Sequence, residues 1–166
     1  MTDTMSRGES VWNYICELTA CEDPVIERSM TVNQELAHAA GTARLAQLLA
    51  LRRNLDSEMA FIVGVLHDIG RIITGIKKDH ARTGMDFARV YLVRSGDFSP
   101  EEIENLVNAV GNHSLKDQVG TPLEELIKDA DVLDGYFSGR PSSNPESVSR
   151  LERLLGELDI KNQAEY

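Results

Sequence analysis

Residues 59–71 read MAFIVGVLHDIGR. The run from Met59 to Leu66 is unbroken apolar sequence, and His67 and Asp68 close it. A run of this kind suits a buried parallel strand as well as a buried helical segment, because periodicity alone does not separate them. The rest of the chain favours helix. No other stretch alternates apolar and polar residues long enough to pair with it as a strand. An imidazole and a carboxylate at the end of a buried run are costly unless paired or bound to a metal. Adjacent helical residues point about 100° apart, yet both side chains can converge on an ion between their directions. Taken alone, His67 and Asp68 fit a hydrogen-bonded core pair equally well.

Outward from that run, the chain reads as helices with short punctuation. Ser99-Pro100-Glu101-Glu102 and Thr121-Pro122-Leu123-Glu124 each place a capping hydroxyl three residues before a Glu, with Pro in the first helical position. Asn144-Pro145 opens a last helix in the same way. Seven helical segments are expected, at 9–22, 31–52, 57–70, 79–95, 100–113, 122–137 and 145–160. The expected fold class is an all-α, single compact multi-helix bundle over residues 9–166, with 1–8 a disordered N-terminal segment. Segment 31–52 looks apolar nearly all round, as a helix buried on every side would be. The stretch 138–146, SGRPSSNPE, is a loop by composition. Val148, Leu151, Leu155 and Leu158 form a stripe expected to pack on the domain rather than on a partner.

At 166 residues the chain fits one domain. A chain of about this length buries roughly 68–70% of its unfolded surface and needs no disulfide or zinc staple. Its 27 acidic and 17 basic residues give a net charge of −10. That charge argues against nucleic acid or an anionic membrane as a bulk partner, since both select clustered Lys and Arg. No run approaches the length of a membrane span, and the polar start MTDTMSRGES is not a secretory signal. Cys16 and Cys21 are expected to be reduced thiols in a cytoplasmic protein. A homodimer is left open.

The chain has four histidines, His38, His67, His80 and His113. His38 lies on the side of its helix that carries Leu45 and Leu49, with Gly41 and Thr42 small enough to admit a neighbouring helix. His113 extends the apolar stripe of Leu106 and Val110. His80 shares a side with Gly84, Phe87 and Tyr91. One inward histidine is usually a satisfied core residue, but several on different helices together with inward Asp point to a metal site. In LIKDADVLDGY, Asp131 sits at the edge of the buried face, Asp134 within it, and Asp129 points away as a solvated residue. Periodicity slightly prefers Asp134 as the functional carboxylate without settling the choice.

The ordered set ELAHAAG, LHDIGR, DHARTG, GNHS and DADVLD resembles the HD superfamily of metal-dependent phosphohydrolases, which are all-helical. The match covers roughly residues 31–137. The resemblance implies His38, His67, Asp68 and Asp131 around a first metal, the middle Asp-Ala-Asp carboxylate being the ligand. It further implies that Asp68 bridges to a second metal held by His80 and His113, as in dinuclear members. Imidazole-rich sites suit first-row transition metals such as Fe, Mn, Zn, Ni or Co. Two divalent ions and two ligand aspartates would leave the site positive, able to hold a phosphate in an acidic protein.

The function implied is hydrolysis of a phosphate ester or phosphoanhydride of a small metabolite or nucleotide by metal-activated water. Asp68 is the expected linchpin. Arg71 stands where many relatives carry Lys, and could grip a phosphate as a bidentate fork or sit at the surface at a helix end. Arg82 and Lys116 are weaker candidates for the same phosphate contact, and both are expected to be exposed. Two alternatives carry the same ligand count or pattern. One is a mixed-valent di-iron oxygenase of the same superfamily, and the other is a metal-binding module with little activity. The GYP signature of cyclic-dinucleotide phosphodiesterases is absent.

Overall fold

The computed structural model describes residues 5–20 and 26–161. Among these there are eight α-helices and no strand. They are α1 (Arg7–Ala20), α2 (Val32–Arg52), α3 (Ser57–Leu66), α4 (Ile69–Thr74), α5 (His80–Ser95), α6 (Pro100–Asn112), α7 (Pro122–Phe137) and α8 (Pro145–Glu157). None is long and apolar enough to cross a membrane. The expected segment 57–70 is two helices, not one. The chain leaves helical geometry at Asp68, whose φ is −102° and ψ 15°, and Asp68 starts α4 without a side-chain cap bond. Its carboxylate is therefore free to face the interior instead of the backbone.

Ser99 and Thr121 form the reciprocal capping boxes read from the sequence, with Glu102 and Glu124. Thr31 forms another with Gln34. Each such cap contributes about 1 kcal/mol and fixes where its helix begins. The first helix begins at Arg7, earlier than expected, while residues 1–4 of the proposed N-terminal segment lie outside the described residues. Cys21 lies outside them as well. Cys16 is free and half-buried, and burial raises its thiol pKa.

Two apolar clusters hold the bundle. The larger joins α1, α3, α4, α5 and α6 through residues such as Ile15, Leu66, Ile69, Leu92 and Leu106. The smaller joins α2, α3, α7 and α8 through Leu49, Ala60, Leu133 and Leu154. Helix α2 is not buried all round. Leu48 is 51% and Leu51 70% exposed, while Glu35, His38, Thr42, Ala46 and Leu49 form its inward line. Alanine occupies both faces of α2, which conceals this sidedness in the sequence. The stripe on α8 does pack on the domain, but Leu154 replaces Val148, which is exposed.

Asp129 is not solvated. It is 1% exposed, and its Oδ1 accepts from Arg150 at 2.9 Å and Arg153 at 2.8 Å. Helix α8 crosses the face of α7 that an isolated helix would offer to water, so a polar face became an interface. Glu125 belongs to the same network, accepting from Lys128, Arg150 and the Gly120 N–H. Burial alone would raise its pKa, but those donors outweigh it and hold the carboxyl at about 2. A carboxylate held below its unfolded value adds stability above that value and loses it as pH falls through the folded one. The window here runs from 4.5 down to about 2. Because Glu125 is partly open to solvent, the contribution is on the order of 1–2 kcal/mol rather than the full shift. The gap between urea melts of wild type and Glu125→Gln should be clearly smaller at pH 3 than at pH 6. A constant gap would contradict the assignment.

Candidate metal centre

The break between α3 and α4 places His67 and Asp68 at the centre of the bundle, 0% and 3% exposed. Around them stand His38 from α2, His80 at the start of α5, and His113 at the end of α6. The Nδ1 atoms of His67, His80 and His113 lie 2.7 Å from the carbonyls of Gly64, Lys77 and Val110 respectively. A carbonyl only accepts, so each Nδ1 carries a proton and each ring turns its Nε2 inward. His38 Nδ1 lies 2.6 Å from Asp134 Oδ2, which fixes that ring in the same sense.

The inward atoms form two groups that share Asp68. Asp68 Oδ2 lies 3.4 Å from His38 Nε2 and 3.3 Å from His67 Nε2, and these two nitrogens are 3.1 Å apart. Asp68 Oδ1 lies 3.0 Å from His80 Nε2 and 3.5 Å from His113 Nε2, with 3.0 Å between the nitrogens. Asp131 Oδ1 joins the first group, 3.2 Å from His38 Nε2. With metal–nitrogen bonds near 2.0–2.1 Å, neighbouring donors in a tetrahedral or octahedral shell sit about 3.0–3.4 Å apart. The donor spacing fits that edge length.

The polar accounting agrees. Asp68 Oδ1 is buried with no hydrogen-bond partner, an unusual state for a carboxylate oxygen. Burial alone would raise the Asp68 pKa, but His67 and the contacts with His113 and His38 hold it well below the usual range. Asp131 is held low in the same way, chiefly by Lys116 against its burial. Burial would depress His38, yet Asp131, Asp134 and Asp68 push it up to about 11. His113, in contrast, is lowered by burial. The centre is thus built to stabilise positive charge, and the residues present fit one or two transition-metal ions bound through imidazole and carboxylate.

Both aspartates weighed in the sequence have work here. Asp131 is at the open edge, its side chain 24% exposed, while Asp134 is buried against the outer nitrogen of His38. Gly41 makes this possible. A Cβ at Gly41 would lie 1.9 Å from Asp134 Oδ1, so only glycine admits that carboxylate between α2 and α7. A carboxylate behind a metal-binding histidine typically changes metal affinity or activity 10–100-fold. Asp134→Ala should weaken metal binding by about that factor, read by titration of the metal-free protein, with the melting temperature measured alongside.

Arg71 is not a surface residue at a helix end. It is 8% exposed, with Nε donating to Glu35 Oε2 at 2.9 Å and Nη2 donating to Asp68 Oδ2. Lys116 is not solvent-exposed as expected. Its Nζ donates to Asp131 Oδ2 at 2.7 Å and to the Lys128 carbonyl at 3.2 Å. Arg82 is exposed. Sequence reading passed over Glu35, although its spacing of three from His38 placed it on the same inward line.

A cavity of about 480 Å³ opens onto the cluster, lined by His38, Asp68, Arg71, His80, His113 and Asp131 and rimmed by Lys77, Lys116, Arg140, Ser142 and Asn144. A groove of about 450 Å³ between the starts of α3, α6 and α7 contains no histidine, lysine or arginine. The chemistry therefore belongs to the first cavity.

The HD domain family model matches residues 36–136, which include every histidine and all three aspartates of the centre, Asp68, Asp131 and Asp134. The chain belongs to the HD-domain family. Among curated relatives, Ribonuclease Y of Chlorobium chlorochromatii is 33% identical over 121 residues, covering 72% of this chain and 21% of the relative. Ribonuclease Y of Chlorobaculum tepidum is 31% identical with the same coverage. The chain thus spans about a fifth of the length of these relatives. A crystal structure of a predicted HD superfamily hydrolase from an uncultured Thermotogales bacterium superimposes with a TM-score of 0.61. It is 21% identical, covering 90% of this chain and 88% of that one, and shows the shared fold.

Proposed function

We propose that the protein is a metal-dependent phosphohydrolase acting on a small phosphorylated molecule or nucleotide. The observation that carries this function is the partnerless, buried Asp68 Oδ1 between two imidazoles, with Oδ2 facing two more. His38, His67 and Asp131 would hold one ion, His80 and His113 a second, and Asp68 both. Metal ions so bound supply a water acidified toward neutral pH and a Lewis acid for phosphoryl oxygens.

The chain's own residues do the rest. The cavity, at about 480 Å³, suits a small ligand. Its rim cations Lys77, Lys116 and Arg140 supply positive charge that the −10 surface lacks. An ammonium has three donors. Lys116 uses two of them on Asp131 and the Lys128 carbonyl, leaving one N–H for a phosphate oxygen. Asp131, anchored by Lys116, borders the open side of the centre.

The Ribonuclease Y relatives favour a second reading in which the phosphodiester of RNA is the substrate. Protein purified without chelator should be tested for its metal-to-chain ratio and for phosphate or fragment release from nucleoside monophosphates, sugar phosphates and an RNA oligonucleotide. Metal-dependent turnover of the small phosphates is the expected result, and cleavage of RNA alone selects the second reading. A mixed-valent di-iron EPR signal with oxygen uptake overturns hydrolysis in favour of an oxygenase. No turnover on any substrate by fully metallated protein leaves the binding module. Lys116→Ala should lower kcat/KM about 10–100-fold at unchanged metal content, the range for losing a charge-assisted hydrogen bond.

A further inference from the structure

Glu35 is 2% exposed, on an α2 line otherwise made of His38 and small or apolar residues. Burying a carboxylate costs several kcal/mol unless it is paired, and an apolar residue of similar size would serve packing as well or better. Its partner is Arg71, whose Nε and Nη2 both lie 2.9 Å from Glu35 Oε2. The same Nη2 donates to Asp68 Oδ2, the oxygen that faces His38 and His67. Glu35, Arg71 and Asp68 thus form a buried chain ending at the shared carboxylate. Asp68 needs such a hold, because as the N-cap of α4 it makes no capping bond with the backbone of that helix.

We propose that Glu35 is a positioning residue for the metal centre, acting through Arg71 to orient Asp68 so that each carboxylate oxygen serves one imidazole pair. The proposal rests on the metal-centre reading above. Charge explains why an acid is needed. Arg71 alone would cancel the charge of Asp68 and set a bare cation beside the metal positions. With Glu35 the three groups sum to −1, so Asp68 gains a directing hydrogen bond and keeps its attraction for cations.

The test is titration of metal-free protein with Mn(II), followed by stoichiometry, affinity and the EPR spectrum of the loaded protein. Three proteins are compared: wild type, Glu35→Gln, and Glu35→Met/Arg71→Met. The double variant removes both charges of the pair, a replacement that is often neutral for folding, and melting curves confirm that it is folded. Both variants should bind Mn(II) about 10–100-fold more weakly than wild type. Their EPR spectra should lose the spin-coupled signal of a carboxylate-bridged pair. Wild-type affinity and spectrum in Glu35→Gln, or in the folded double variant, would overturn the proposal and leave the metal centre standing. A wild-type protein that binds no Mn(II) would overturn the metal centre and this proposal with it.

Discussion

Asp68→Ala should emerge from purification without chelator carrying little or no metal, and its hydrolytic activity should fall at least about 10³-fold. The size follows from geometry. Among the described residues, Asp68 is the one side chain within 3.5 Å of all four imidazole Nε2 atoms, through Oδ2 on one side and Oδ1 on the other. Removing it deletes a ligand from both positions and half the ligand negative charge. Metal Lewis acidity is worth several kcal/mol of transition-state stabilisation, and each 1.36 kcal/mol is about tenfold in rate. The fold should survive, because Arg71 keeps Glu35 and His38 keeps Asp131 and Asp134 as partners. Far-UV circular dichroism and elemental analysis on one preparation separate the outcomes. Metal retained at the wild-type ratio in folded Asp68→Ala would refute the bridging role.

Much of this centre could be read from the sequence because its donors are of few kinds and fall in a fixed order. Imidazole and carboxylate on otherwise apolar faces are conspicuous, and the structure does bring His38, His67, Asp68, His80, His113 and Asp131 together. What stayed hidden depends on pairs of elements. Helical-wheel position placed Asp134 on the buried face, correctly, but could not show that its neighbour would be a ring nitrogen while Asp131 stood at the open edge. Asp129 looked solvated because the wheel of α7 alone does not show that α8, the next helix, folds back over that face with Arg150 and Arg153. The split into α3 and α4 carries no proline, and a glycine follows only after the turn. The polar cluster drawing Asp68 inward sets the break, and that cluster exists only in the folded protein. Arg71 and Glu35 needed the same tertiary knowledge. Separately each looks like an ordinary helix charge, and only their contact reveals a buried chain.

Gly70→Ala tests how the fold itself places the second half of the centre. A Cβ at Gly70 would lie 2.2 Å from the His80 carbonyl oxygen and 2.7 Å from the Gly84 nitrogen. Both are backbone atoms, so no rotamer change relieves the clash, and α4 and α5 must separate by the better part of an ångström. His80 is the first residue of α5, and its Nε2 is 3.0 Å from Asp68 Oδ1. Metal sites tolerate only about 0.2 Å in ligand distance. One added methyl, on a residue that supplies no donor atom, should therefore release the His80–His113 position while leaving the His38–His67 position filled. The expected metal ratio falls from about two per chain to about one, and overpacking lowers stability by about 1–3 kcal/mol. Activity should drop about 100-fold, the usual cost of misplacing a reacting group by about 1 Å. His80→Ala provides the comparison, since it should give the same ratio with little loss of stability. If folded Gly70→Ala keeps two metals, close contact between α4 and α5 is not what positions His80. If both variants bind one metal and only Gly70→Ala melts lower, helix packing and ligand geometry are set by the same glycine.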